Sequence, residues 1–89
     1  MQVKVMNRVY RMSRSEFEGL LKVASEQVSF GIYAVEHEKN GYAELRCDRC
    51  KSITQLKNLT RQFKSQGFKV YANKQVLKET AEGALMSAT

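Results

Sequence analysis

The chain has 89 residues, of which 43% are hydrophobic and 27% are charged, and its formal net charge at pH 7 is +6. This length allows one folded domain with little room for a second core, and the composition excludes an intrinsically disordered chain. No apolar run approaches the roughly 20 residues of a membrane-spanning helix, and the N-terminus alternates where a secretion signal is continuously apolar. We therefore expect a cytoplasmic domain that does not contact a membrane.

The N-terminal third of the sequence predicts a β-hairpin followed by a helix. Residues 2–11 alternate between apolar and polar side chains, which is typical of a short hairpin that turns at Asn7 or of one bent strand, and we favour the hairpin. Ser13 and Glu16 have the spacing of a capping box, which satisfies free backbone groups at a helix N-terminus. Apolar residues then recur at helical spacing until Val28, where we expect the helix to end.

The middle of the sequence predicts a second hairpin, which turns at Asn40-Gly41 because this pair tolerates the positive φ of a tight turn. Its strands cover residues 30–38 and 42–47. Both faces of the first strand are apolar near its middle, which is typical of a central strand. Strict alternation along this strand predicts one face with Phe30, Ile32 and Ala34 and another with Tyr33, Val35 and His37.

The C-terminal part of the sequence predicts a second helix, a short strand and a tail. The helix runs from about Ser52 to Gln66, with Gly67 as its stop, and the strand covers residues 68–72. We expect residues 1–73 to form a single α/β domain and residues 74–89 to form a weakly helical or frayed tail.

These elements give the order ββαββαβ. Two amphipathic helices need one shared apolar surface, so the expected fold class is α+β and the expected architecture is a two-layer sandwich. In this arrangement a mainly antiparallel sheet carries both helices on one face, and the tail contributes a C-terminal helix.

Positive charge is concentrated in residues 46–74. This stretch holds eight lysines or arginines against one acid, Asp48, which gives a local charge of +7 in a chain of net charge +6. The rest of the chain therefore sums to −1. A charge surplus gathered into one third of a small domain creates a directional field that favours an anionic partner.

Three of these basic residues form a stripe on the second predicted helix. Lys57, Arg61 and Lys64 fall within about 60° of one another around the helix axis, and none has an acidic residue three or four positions away. Such a stripe could follow a phosphate backbone without reading its sequence. The alternative is a solvated helix face, on which Lys64 complements the helix dipole.

The predicted sheet has a second candidate surface. If both helices cover one face, the opposite face is open and carries tyrosines interleaved with cations, as on sheets that bind single-stranded nucleic acid. The side chains on this face are Tyr33, Val35, Tyr42, Arg46, Lys69 and Tyr71. Two alternatives remain, namely cross-strand tyrosine pairs that only stabilise the sheet and an interface with a protein, including a second copy of the chain.

Cys47 and Cys50 form a Cys-x-x-Cys motif between a strand and the basic helix. One interpretation is structural, with Cys47 in the core and Cys50 in the first helical turn. A redox pair is a second interpretation, because a helix N-terminus lowers the pKa of a thiol. A zinc site is the third, but with His37 the chain offers only three such ligands, so the fourth would come from an acid or a second protomer.

The sequence predicts no enzyme and no cofactor, since it has one histidine, one aspartate and no glycine-rich phosphate loop. The expected function is a small nucleic-acid-binding module or regulator. The alternative is an interaction or inhibitor module that binds an acidic protein or self-associates through the tyrosine-bearing face. The predicted nucleic-acid contacts are Arg46, Arg49, Lys51, Lys57, Arg61, Lys64, Lys69, Tyr33, Tyr42 and Tyr71.

In its short length, basic charge, capped helix and Asn40-Gly41 hairpin, the chain up to Asn73 resembles small proteins of phages and mobile elements of Gram-positive bacteria. This resemblance implies a regulator, a nucleic-acid binder or an inhibitor of host machinery, and it assigns no role to individual residues. The strand, basic helix and strand are also similar to peptidoglycan-binding sporulation-type repeats. That function would require export, and we expect no export signal.

Overall fold

The computed structural model of the chain describes residues 1–74, which form an α+β fold with the predicted element order. The elements are β1 (Gln2–Val5), β2 (Arg8–Arg11), α1 (Arg14–Gln27), β3 (Gly31–His37), β4 (Tyr42–Arg49), α2 (Ile53–Ser65) and β5 (Phe68–Asn73). The predicted C-terminal helix and the predicted tail, apart from Lys74, lie outside the described residues. Neither described helix is long and apolar enough to cross a membrane.

Local sequence signals explain where these elements begin and end. The Ser13 hydroxyl accepts a hydrogen bond from the Glu16 backbone N–H, and the Glu16 carboxylate accepts one from the Ser13 backbone, so the predicted capping box starts α1. Ser52 caps α2 by accepting a hydrogen bond from the Gln55 N–H at 3.1 Å. The residue that ends the turn after α2 has a φ of +89°. Glycine suits this left-handed conformation best, which explains why Gly67 occupies the position.

The five strands form one mixed sheet in the order β2-β1-β4-β3-β5. Three of the four strand pairings are antiparallel, as the predicted sheet requires, but β1 pairs with β4 in parallel, with Val3 opposite Ala43. The N-terminal hairpin thus extends the sheet beyond β4. The sequence carries no local signal for this pairing, because it joins two hairpins that α1 separates and forms between residues about 40 positions apart.

The two helices pack on opposite faces of the sheet, so the predicted two-layer arrangement with both helices on one face is wrong. On one face, Phe17 and Leu21 of α1 pack against residues of β1, β3 and β4, including Val3 and Ala43. On the other face, Leu56 of α2 packs in a separate cluster with residues of β3 and its flanks. The sheet is therefore the middle of three layers.

An irregularity in β3 explains why strict alternation failed. The register of β3 shifts between Ile32 and Ala34 against both neighbouring strands. As a result Ile32 lies in the core under α2, whereas Ala34 lies in the core under α1. A bulge of this kind moves every later residue of the strand to the opposite face from the one that simple alternation predicts.

Candidate functional site

A groove runs between α2 and β5, and all three residues of the basic stripe line it. The Gln66-Gly67 turn joins the two elements, so β5 returns alongside α2 and its end lies near the start of the helix. The groove has a volume of about 410 Å³. Its lining residues are Leu56, Lys57, Thr60, Arg61, Lys64, Val70, Ala72 and Lys74.

The described lining of the groove is positively charged throughout its length. Lys57, Arg61 and Lys64 come from α2 and Lys74 directly follows β5, and no acidic residue lines the groove with them in residues 1–74. The ion pairs of the described chain involve Arg14 and Arg46 alone. The stripe predicted from the sequence is therefore one wall of a concave surface, and its charge is not neutralised by a described acid.

The floor of the groove is apolar. Leu56 is fully buried beneath α2, Val70 is half-buried and Ala72 is exposed. Leu56 and Val70 belong to the core cluster that joins α2 to the sheet. The groove consequently offers an apolar strip beside a row of cations, which suits a ligand that is both anionic and partly apolar.

Arg46 does not join this groove, although the sequence predicted a nucleic-acid contact for it. Its guanidinium donates hydrogen bonds to Asp48 at 2.5 and 3.2 Å and lies 4.0 Å from the Glu44 carboxylate. It also stacks 4.9 Å above the Phe63 ring. The hydrogen bond to Asp48 raises the pKa of Arg46, so this cation is already paired and serves to pack α2 on β4.

The remaining predicted cations do not line the groove. Arg49 is exposed at the end of β4, and Lys51 is exposed in the connection between β4 and α2. Lys69 has its ammonium group 5.3 Å from the centre of the Tyr71 ring, and it lines a neighbouring depression with Lys64 and Glu38. These positions allow contact with a ligand that extends beyond the groove, and their role in binding stays a prediction.

The tyrosines do not form the open surface that the sequence predicted. Tyr33 and Tyr71 lie on the face covered by α1, with their ring centres 6.1 Å apart, and the Tyr71 ring contacts Phe17 edge to face at 6.3 Å. Tyr42 pairs with His37 and lies on the opposite face. The register shift in β3 and the placement of α1 therefore divide the predicted set between two faces and leave two of the three tyrosines in core packing.

Tyr71 belongs to a polar cluster beneath the start of α1. Its hydroxyl donates a hydrogen bond of 2.7 Å to the buried carboxylate of Glu36, and Arg14 donates two more, at 3.0 and 2.5 Å. Hydrogen bonds from Arg14 lower the pKa of Glu36 against the opposing effect of its burial. Burial and the hydrogen bond to Glu36 raise the pKa of Tyr71 to about 12. The cluster is fully paired, so it ties α1 to the sheet.

The two cysteines occupy different environments. Cys47 is exposed, whereas Cys50 is buried in the core under α2, which reverses the placement expected from the sequence. Burial raises the pKa of Cys50, the opposite of what a reactive thiol requires. Within residues 1–74, no three side chains of the metal-binding types come together.

Lys74 is the basic residue of the described groove lining that the predicted contacts did not include. It belongs to the basic stretch, but it follows β5 and has no helical spacing to Lys57 or Arg61. The available signal was geometric, since a strand joined to a helix by a tight turn must run back along it. The last residue of the strand then meets the first turns of the helix.

Comparisons with known protein families, with curated proteins and with solved structures found no match to this chain. Any functional conclusion therefore depends on the residues of the groove themselves.

Proposed function

We propose that this chain is a non-enzymatic nucleic-acid-binding module and that the groove between α2 and β5 is its contact surface. The observation that carries the proposal is the row of Lys57, Arg61, Lys64 and Lys74 on one concave surface, where none of the four forms an ion pair with a described acid. A cytoplasmic domain of this charge would meet nucleic acid as its most abundant polyanion. Such contacts fix position on the phosphate backbone and do not read bases, which suits a regulator of low intrinsic sequence preference.

The number of cations in the groove sets the expected salt dependence. Each phosphate that is neutralised releases counterions, and the logarithm of affinity falls with the logarithm of salt concentration by about 0.7 per contact on a single strand and about 0.9 on a duplex. Four contacts therefore predict a slope of about −3 to −4. Fluorescence anisotropy of a labelled oligonucleotide, titrated at several salt concentrations, measures it.

The proposal predicts that Lys57→Glu with Arg61→Glu abolishes oligonucleotide binding. The matched control is Lys22→Glu with Arg8→Glu, which makes the same change in net charge on exposed residues of α1 and β2. We expect the control to weaken binding only modestly, through the long-range field. Equal losses in the two variants would show that net charge, and not the groove, determines binding.

The apolar floor favours a second candidate, an interaction or inhibitor module that binds an acidic protein. An extended acidic segment could place apolar side chains on Val70 and Ala72 and carboxylates against the cations. Competition separates the two functions. The labelled oligonucleotide is displaced by either unlabelled oligonucleotide or polyglutamate, compared at equal concentrations of negative charge. Nucleic-acid binding predicts that far less oligonucleotide than polyglutamate is needed, whereas the second candidate predicts the reverse.

A further inference from the structure

We infer that the groove takes single-stranded rather than double-stranded nucleic acid, with the phosphates along the cations and the sugars and bases on the apolar floor. This inference depends on the proposed function, and it assigns the class of nucleic acid that the groove accepts.

The dimensions of the groove suit one strand. The 13 residues of α2 and the 6 residues of β5 each extend about 20 Å. The cations of α2 extend from Lys57 in its second turn to Lys64 near its end, about 10 Å along the axis, and Lys74 directly follows β5. A strand that advances about 3.4 Å per nucleotide when stacked would place about five or six nucleotides along the groove. This number lies within the usual site sizes of single-strand binders.

The floor of the groove distinguishes the two forms of nucleic acid. In a duplex the apolar faces of the bases are stacked inside. A duplex would therefore contact the cations with its phosphates and make no apolar contact with Val70 and Ala72. A groove of about 410 Å³ is also in the size range of pockets for small organic molecules, which admits parts of a nucleotide and not a double helix. An unpaired strand can bury its sugars and base faces against the floor and gain apolar contact area.

The described lining also sets the base preference. It contains aliphatic side chains and no aromatic ring in residues 1–74, so the strong stacking that aromatic platforms provide is missing from it. The groove should therefore accept all four bases with similar affinity. Homopolymeric strands should differ by less than about tenfold in Kd.

The test compares one labelled strand of about 12 nucleotides with the same strand annealed to its complement. We expect the single strand to bind at least about fivefold more tightly than the duplex, because only the single strand contacts the apolar floor of the groove. Ala72→Ile fills the floor at an exposed strand position and keeps all four cations. It should weaken single-strand binding about fivefold and leave duplex binding unchanged.

A second floor variant and a matched control separate loss of the apolar contact from misfolding. Val70→Thr removes an apolar contact with little change in volume and should also weaken the single strand selectively, whereas Val9→Thr makes the same change on exposed strand β2, outside the groove, and should have no effect. Equal or tighter duplex binding that is lost in the Lys57/Arg61 variant would overturn this inference and leave the proposed function intact. Binding of neither form at low salt would overturn both.

Discussion

At the scale of single residues, the same basic side chain has two different roles in this chain. Arg46 is flanked by Glu44 and Asp48, and on a strand residues two apart share a face, so its charge is paired. Arg61 lies on a helix, where neighbours at three and four positions decide the pairing, and none of them is acidic. The secondary structure around each arginine therefore determines which cation remains available to a ligand. The pairing of Arg46 could have been predicted from the strand spacing, whereas the open position of Lys74 depends on packing.

Glu36 should give the folded state an acid-sensitive contribution. Arg14 holds the pKa of this carboxyl below its ordinary value, so the unfolded chain, with a glutamate pKa of about 4.3, binds the proton more tightly than the folded chain. The stabilisation is therefore present above the unfolded pKa and is lost as pH falls through the lowered folded pKa.

Glu36→Gln should consequently destabilise the protein by about 1.5 kcal/mol at pH 7, because it removes the charge from a buried set of hydrogen bonds. Urea denaturation at a series of pH values measures the difference from the unmodified chain, and we expect this difference to shrink as pH falls below the unfolded pKa of about 4.3 and through the lowered folded pKa. Glu38→Gln is the matched control, since Glu38 is exposed two residues further along the chain, directly after β3. A difference that is constant with pH would contradict the assigned role of the Glu36 charge.

At the scale of elements, local signals account for where each helix and strand lies, but not for how the strands are paired. The capping residues Ser13 and Ser52 and the two turns at Asn7 and Gly41 all act within a few positions. The register shift near Tyr33 has no such local signal, because its neighbours are an ordinary alternating run. It arises where β3 must match two partner strands at once, and it decides which helix covers which face.

Gly31 shows how strictly that central strand is constrained. Its φ of +144° is one that residues with a side chain rarely adopt, and a Cβ at this position would overlap the carbonyl oxygen of Asp48 on the adjacent strand. Gly31 pairs with both Arg49 and Asn73, so it lies where three strands meet. The glycine permits the close approach of β4 at the start of β3.

Gly31→Ala should therefore destabilise the protein by about 3 kcal/mol, from backbone strain and overlap together. Gly19→Ala provides a control of opposite sign, because a Cβ at Gly19 meets nothing within 4 Å on the surface of α1. That change should stabilise the protein by roughly 0.5–1 kcal/mol through higher helix propensity. Urea midpoints of both variants measure these effects, and a Gly31→Ala variant as stable as the unmodified chain would show that β4 can move away.

At the scale of the whole molecule, the sheet separates two hydrophobic cores, one under each helix. The core under α1 contains Phe17 and Val3, and the core under α2 contains Leu56 and Ile32. Because β3 contributes Ile32 to one core and Ala34 to the other, loss of either core removes support from the same strand. The groove for the proposed ligand is formed by α2 together with strand β5 of the sheet, so its integrity depends on the folded sheet.

This shared strand predicts that the two cores unfold together in a single transition. Reporters exist on both faces. Tyrosine fluorescence reports on the α1 core when Tyr10 and Tyr42 are replaced by phenylalanine, which leaves Tyr33 and Tyr71 of the four tyrosines. Labelling of Cys50 reports on the α2 core in a Cys47→Ser background, since Cys47 is exposed and would react without unfolding.

In urea the two reporters should give the same midpoint. Leu56→Ala should lower the free energy of unfolding by roughly 2–5 kcal/mol and shift both midpoints equally, even though the tyrosines lie on the opposite face. If labelling of Cys50 preceded the change in tyrosine fluorescence, α2 would be able to detach from a folded sheet. The groove would then open and close independently of the rest of the domain, and ligand affinity would contain the free energy of docking α2. A common midpoint makes the groove a permanent feature of the folded state, so that its cations are already in place when a strand arrives.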